Sequence, residues 1–148
     1  MKTQDRILQI KSCEQMCYAG KAATAHFHKI CHSDPSQLSK ELTFRLHDIR
    51  ECHEDLEKTY LVRLFAVFEV TVRDYWREGC GRKSHPLVRT LLDRVASQSF
   101  MQYDVLSNAH AVRDYRNFLV HGGAAISLTL SEARGYLCTF LSYLPREW

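Results

Sequence analysis

The sequence predicts an all-α fold, a single-domain bundle of about five helices spanning residues 1–148. Three observations carry that prediction. Apolar residues recur at three- and four-residue intervals in segments of helix length. Turn-forming clusters punctuate those segments at Ser33-Asp34-Pro35-Ser36, Gly79–Pro86 and Gly122-Gly123. No strand pattern, internal repeat or low-complexity tract is present.

The first helix is expected from about Asp5 to His32, because Ile7, Ile10, Cys13, Cys17, Thr24, Phe27 and Ile30 or Cys31 keep helical spacing. Gly20, beside Ala19, marks a kink or the close approach of another helix. Asp34 then reads as an N-cap with Pro35 in the first helical position. A second helical region, roughly 36–77, is long for one unbroken element. Its first part, to about Asp55, is strongly charged; from Tyr60 to Val72 it is apolar nearly all round and predicts the central buried helix. Whether a break separates the two parts stays open. Glu69, a carboxylate amid Phe65, Phe68, Val70 and Val72, requires a cationic partner if buried.

Gly79–Pro86 predicts a loop carrying the basic pair Arg82-Lys83. A third helix follows from Pro86 to about Ser97, with Leu87, Leu91, Leu92 and Val95 inward. A fourth runs from Tyr103 or Asp104 to Val120 and ends at Gly122-Gly123. Thr129 and Glu132 form the Thr-x-x-Glu pattern of a capping box, opening a last helix through Leu137, Phe140, Leu141 and Leu144.

A chain of 148 residues can bury a sizeable core, and 45% hydrophobic with 25% charged residues is ordinary for a soluble globular domain. The net charge is +3. Residues 1–72 hold ten basic and ten acidic side chains and residues 73–148 hold ten and seven, so the excess lies in the second half. That favours a polyanionic ligand only slightly. The six cysteines, Cys13, Cys17, Cys31, Cys52, Cys80 and Cys138, include no Cys-x-x-Cys pair, and the start of the chain is too polar for a secretory signal. Both point to a reduced, cytoplasmic protein whose cysteines mostly fill core space. The Tyr60–Val72 run is too short to span a bilayer, so no membrane partner is expected.

The chemistry concentrates in Arg116-Asn117-Phe118-Leu119-Val120-His121-Gly122-Gly123. Arg116 shares a helical stripe with Val105, Ala109, Val112 and Leu119, and a guanidinium on an apolar face must meet a carboxylate or reach a cleft or interface. His121 adds a side chain that titrates near neutrality. Residues five apart lie about 140 degrees apart around a helix, so the two do not share a face. Either the helix unwinds at Val120, or the site is assembled from two copies. A rival metal site around His28 and His32, with Cys13, Cys17 and Cys31 on the same stripe, lacks any standard ligand spacing; no metal or other cofactor is expected. The plain alternatives are a helix-terminal histidine near the last carbonyls and a salt-bridged arginine.

The Arg-Asn-x3-His-Gly segment resembles the signature of the HEPN superfamily, small all-helical domains rich in ribonucleases. The resemblance covers the chain from about residue 56. It extends to the motif's place on the penultimate helix, to Phe68-Glu69 in the long helix and to the closing capped helix. It implies a homodimer with both motifs lining one cleft, and metal-free cleavage of RNA in which the ribose 2′-hydroxyl attacks phosphorus. The implied products are a 2′,3′-cyclic phosphate and a 5′-hydroxyl, and DNA is not cut. In that scheme the two copies of His121 act as base and acid, Arg116 stabilises the phosphorane and Asn117 orients a phosphate. Glu69 is the candidate partner that fixes Arg116, with a purely structural ion pair as the equal alternative. Apart from the resemblance, the basic residues Arg82, Lys83 and Arg113 are candidates to contact RNA phosphate, solvated loop charge being the plain alternative for Arg82 and Lys83.

The implied setting is toxin–antitoxin or antiviral defence, with an antitoxin or neighbouring regulatory protein as partner. Gly123 stands where some HEPN toxins carry a tyrosine that a partner enzyme modifies, so such a regulator would have to act differently. The alternative implied by the same resemblance is a catalytically inert module that binds RNA or nucleotide, or dimerises with a neighbour. A plain helical interaction domain is the third reading.

Overall fold

Two long helices, α1 (Thr3–Ser33) and α2 (Leu46–Asp74), pack along one another and form the frame on which three shorter ones assemble. These are α3 (Val88–Gln98), α4 (Tyr103–His121) and α5 (Leu130–Ser142). The structure, a computed structural model, describes residues 3–38 and 44–147, and no strand occurs among them. The all-α bundle expected from the periodicity is therefore the fold.

α1 runs unbroken for 31 residues and buries Ile10, Cys13, Cys17 and Cys31 at helical intervals. Gly20 is a point of close approach: a Cβ there would lie 3.4 Å from Leu56 Cδ1 on α2. Beyond α1, Asp34 accepts from Ser36 N at 3.1 Å and is an N-cap as its sequence predicts, but it opens only the 3₁₀ turn Pro35–Gln37; the long second helix, expected from about residue 36, opens at Leu46. Residues 39–43 of the second predicted region lie outside the described residues.

α2 starts where Asp48 Oδ2 accepts from the Arg45 N–H at 2.6 Å. It continues without a break through residues 55–56. Its inner face, Leu61, Leu64, Phe65, Phe68 and Val72, is at the centre of the core. The opposite strip, Arg63, Ala66 and Val70, faces solvent, and Val70 is 50% exposed. The expected burial all round is thus corrected to burial on one face, because no other helix covers that strip. At its end α2 widens into a π-helical turn, Tyr75–Gly79, which buries Tyr75 and Trp76.

α3 contributes Leu91, Leu92, Val95 and Ala96 to the core. Leu87, expected inward, is 81% exposed: it holds an extended N-cap conformation before the first helical turn, which aims it away. The α5 capping box forms in full, with Glu132 N donating to Thr129 Oγ1 at 3.2 Å and Thr129 N donating to Glu132 Oε2 at 2.8 Å. Phe68 and Phe140 meet edge to face, 5.3 Å between centroids, where α2 and α5 cross.

Two polar contacts tie the bundle across sequence-distant helices. Glu57 on α2 accepts from Leu130 N, an orphan donor at the start of α5, at 3.0 Å, and from Lys21 on α1 at 3.1 Å. The Leu130 bond foremost, then Lys21, holds its carboxyl below the usual glutamate range. Glu14, buried on α1, pairs with Arg134 on α5 at 2.7 Å. That approach is an ion pair without a well-aligned N–H···O bond. All six cysteines are free; Cys13, Cys17 and Cys31 are buried, Cys80 and Cys138 half-buried, and Cys52 is exposed. Among the described residues no helix is long and apolar enough to cross a membrane.

Candidate functional site

α4 packs on the core through Val105, Ala109, Val112 and Tyr115. Arg116 falls on the edge of that face. Its guanidinium lies over the Phe65 ring, 5.9 Å from the centroid, and one terminal nitrogen donates to Asn117 Oδ1 at 3.0 Å. The Arg116 Nε is buried without a hydrogen-bond partner. Among the described residues no carboxylate pairs with this guanidinium. An aromatic face attracts a cation but gives its N–H groups little to bond to, which leaves the donor capacity of Arg116 largely unused.

Glu69, expected to fix Arg116, does not. It accepts from Arg73 one turn further along α2, at 2.9 and 2.8 Å from Nε and a terminal nitrogen. The spacing of four residues on one helix outcompetes a partner on another helix, because the pair forms with no rearrangement of the bundle. Arg113 is likewise committed within the chain, bonded to Asp114 and to His110 Nδ1 at 3.1 Å. Arg82 and Lys83 lie exposed on the loop before α3, apart from the α4 motif.

The helix stays regular through His121. Unwinding at Val120 does not occur in the chain, so Arg116 and His121 stay about 140 degrees apart around α4 and do not share a face. Gly122 then ends α4 at φ 77, its N–H donating to Phe118 O at 2.8 Å, and Gly123 follows at φ 110. Both values favour glycine. The chain returns beside the helix, where Ser127 Oγ donates to Tyr115 Oη at 3.2 Å.

His121 is exposed, with no hydrogen-bond partner among the described residues. It belongs to an outward polar stripe, His110, Asp114, Asn117 and His121, spaced four, three and four apart. A groove of about 560 Å³ runs along this side of α4, lined by His110, Asp114, Asn117 and Phe118 and closed by Gly122 and Ile126 from the returning segment. Neither Arg116 nor His121 lines it.

His110 was not singled out by its sequence neighbourhood. Its Nε2 lies 2.7 Å from Asp93 Oδ1 on α3, while Nδ1 faces Arg113. A guanidinium can only donate, so Nδ1 accepts and the ring proton sits on Nε2 toward Asp93. The spacing of His110 from Asn117 and His121 was the available signal; Asp93 could be found only from the packing of α3 on α4. Among the described residues no three His, Cys, Asp or Glu side chains are grouped to hold a metal ion. His28 and His32 stack at 6.3 Å, away from the buried thiols of Cys13 and Cys17.

The fold and this site define an all-helical domain with an arginine–asparagine pair and a free histidine at a helix end. Compared with protein-family models, with curated proteins and with solved structures, the chain matches none.

Proposed function

We propose that this protein is a HEPN-type endoribonuclease that works as a homodimer and cleaves RNA without a metal. The observation that carries the reading is the Arg116 guanidinium, half-buried over Phe65, with Nε unpartnered and no carboxylate paired with it among the described residues. A cation kept free of counter-charge in a partly desolvated position is disposed to meet an anion supplied from outside. Asn117 holds one of its nitrogens and so sets the plane of the fork.

In the proposed reaction one His121 accepts the 2′-hydroxyl proton as that oxygen attacks phosphorus. The His121 of the second copy protonates the departing 5′-oxygen, and the two copies of Arg116 neutralise the phosphorane. A single chain has only one His121, and His110 lies eleven residues away, roughly 16 Å along the helix axis, too far to share its phosphate. The products are a 2′,3′-cyclic phosphate and a 5′-hydroxyl, and a toxin–antitoxin or antiviral role in the cytoplasm follows from the family resemblance.

Incubating single-stranded RNA with the protein in chelator tests this. Cleavage with those ends, lost in both Arg116→Ala and His121→Ala, is the expected result; activity that survives both substitutions removes the assignment. One observation favours a second reading, an inert RNA- or nucleotide-binding module: His121 has no hydrogen-bond partner to orient its ring, which a general base ordinarily has. Binding without cleavage in the same experiment selects it.

A further inference from the structure

A second cationic site lies at the junction of the loop after α2 with α3. Trp76, at 6% exposure, is the centre of it. The guanidinium carbons of Arg82 from the loop and Arg94 from α3 stand 6.0 and 5.9 Å from its ring centroid. Both line one groove of about 410 Å³, together with Trp76, Ser84, Ser97 and Gln98. No carboxylate lines that groove.

The nearby acids are already engaged. Asp74 pairs with Arg6 and Arg77, Glu69 with Arg73, Glu78 with Arg77, and Asp93 with His110. Arg82 and Arg94 have no ion-pair partner among the described residues. Two guanidiniums held near one ring repel each other, so their charge is compensated only by solvent or by an anion.

The loop that carries Arg82 is also tied down. Trp76 Nε1 donates to Ser84 O and Oγ at 3.1 and 3.2 Å, Arg82 N donates to Trp76 O at 3.1 Å, and Arg73 donates to Pro86 O at 3.1 Å. An anion arriving here therefore meets donors already in place, with little ordering to be done on binding. Ser84 Oγ, accepting from Trp76, keeps its own proton to donate outward.

We propose that this groove binds a backbone phosphate of single-stranded RNA, with Arg82 and Arg94 as the phosphate ligands. The buried indole offers no open face for a base to stack on, so the site reads the backbone and not the base. It shares no lining residue with the α4 groove, and RNA as the source of the phosphate rests on the proposed function.

Fluorescence anisotropy of a labelled single-stranded RNA tests it, with His121→Ala as the parent to prevent cleavage. Arg82→Ala/Arg94→Ala is compared with Lys29→Ala/Arg50→Ala, which removes equal charge from exposed positions elsewhere. The first pair is expected to weaken binding about tenfold or more at low salt and to flatten the salt dependence by roughly one phosphate contact. The control should leave both nearly unchanged. Equal effects of the two pairs overturn the proposal. So does binding of inorganic phosphate that is lost in Arg82→Ala/Arg94→Ala while RNA affinity is unchanged in that variant, which would make a free oxyanion the ligand. RNAs of different base composition should bind alike; a strong base preference lost with the arginines also overturns it. Absence of cleavage by the wild-type chain, with binding still dependent on Arg82 and Arg94, removes the ribonuclease reading and leaves this site standing.

Discussion

The Arg116 guanidinium rests over the Phe65 ring, 5.9 Å from its centroid, so a charge on α4 is held by the core of α2 and not by an acid. That contact is worth about 0.5–2 kcal/mol, enough to orient the side chain but not to neutralise it.

Replacing Arg116 therefore separates stability from activity. Arg116→Ala is expected to leave the thermal midpoint within a few degrees and, under the proposed function, to lower RNA cleavage by about 10²–10³-fold, the usual cost of one transition-state donor. Arg116→Lys, which keeps charge but loses the fork, should restore only a small part. Circular dichroism melting beside product quantification checks this; a large fall in stability for Arg116→Ala would make the residue structural.

Gly20 offers the opposite case, a substitution that improves the fold. A Cβ there meets Leu56 Cδ1 at 3.4 Å, ordinary contact with a side chain that can adjust. Gly20→Ala should stabilise by about 0.5–1 kcal/mol through helix propensity. Gly20→Val, with two further methyls in the same crevice, should destabilise. Urea titration of both variants decides the matter, and a destabilised alanine variant would show that α1 and α2 cannot adjust there.

Glu57 gives stability an acid limb. Its carboxyl is held below the ordinary range by Leu130 N–H and Lys21, so the folded state binds the proton less readily than the unfolded one. The stabilisation is present above the unfolded-state glutamate value and fades as pH falls through the folded one. Glu57→Gln should flatten the fall in stability below about pH 4.5. Denaturant midpoints between pH 3 and 7 measure it, and an unchanged pH profile would assign the acid limb elsewhere.

The Glu14–Arg134 pair joins the first helix to the last. Removing Arg134 leaves the buried Glu14 carboxylate only the Tyr18 Oη–H donor, at 3.2 Å, so Arg134→Met should cost toward or below the lower end of about 3–5 kcal/mol, the arginine itself being 29% exposed. Adding Glu14→Leu should recover most of that. A double variant no better than the single one would place the loss in arginine packing and not in charge.

Local chemistry marks most of the helix ends. Gly122-Gly123 and Thr129-x-x-Glu132 act within a few residues of themselves and end or open a helix where their patterns predict, whereas Asp34-Pro35 caps only a 3₁₀ turn and the second helix opens at Leu46. The periodicity of α1, α3, α4 and α5 likewise identified most of the core. Leu87 departs because it precedes the first turn of α3, where helical phase no longer governs direction. Val70 departs because an apolar run does not say which of its sides a neighbour will cover.

The candidate residues Arg116, Asn117 and His121 are likewise visible in the chain, since their types and spacing are properties of one segment. Their partners are not. That Glu69 turns to Arg73, that Phe65 receives Arg116, that Asp93 meets His110, and that Arg82 and Arg94 converge on Trp76 are settled by how helices distant in sequence pack. Sequence alone determined most of the helix ends and which residues are candidates for chemistry, because caps and periodicity are short-range. Only the tertiary structure decided which charges are neutralised and which stay free, because that depends on distances between helices.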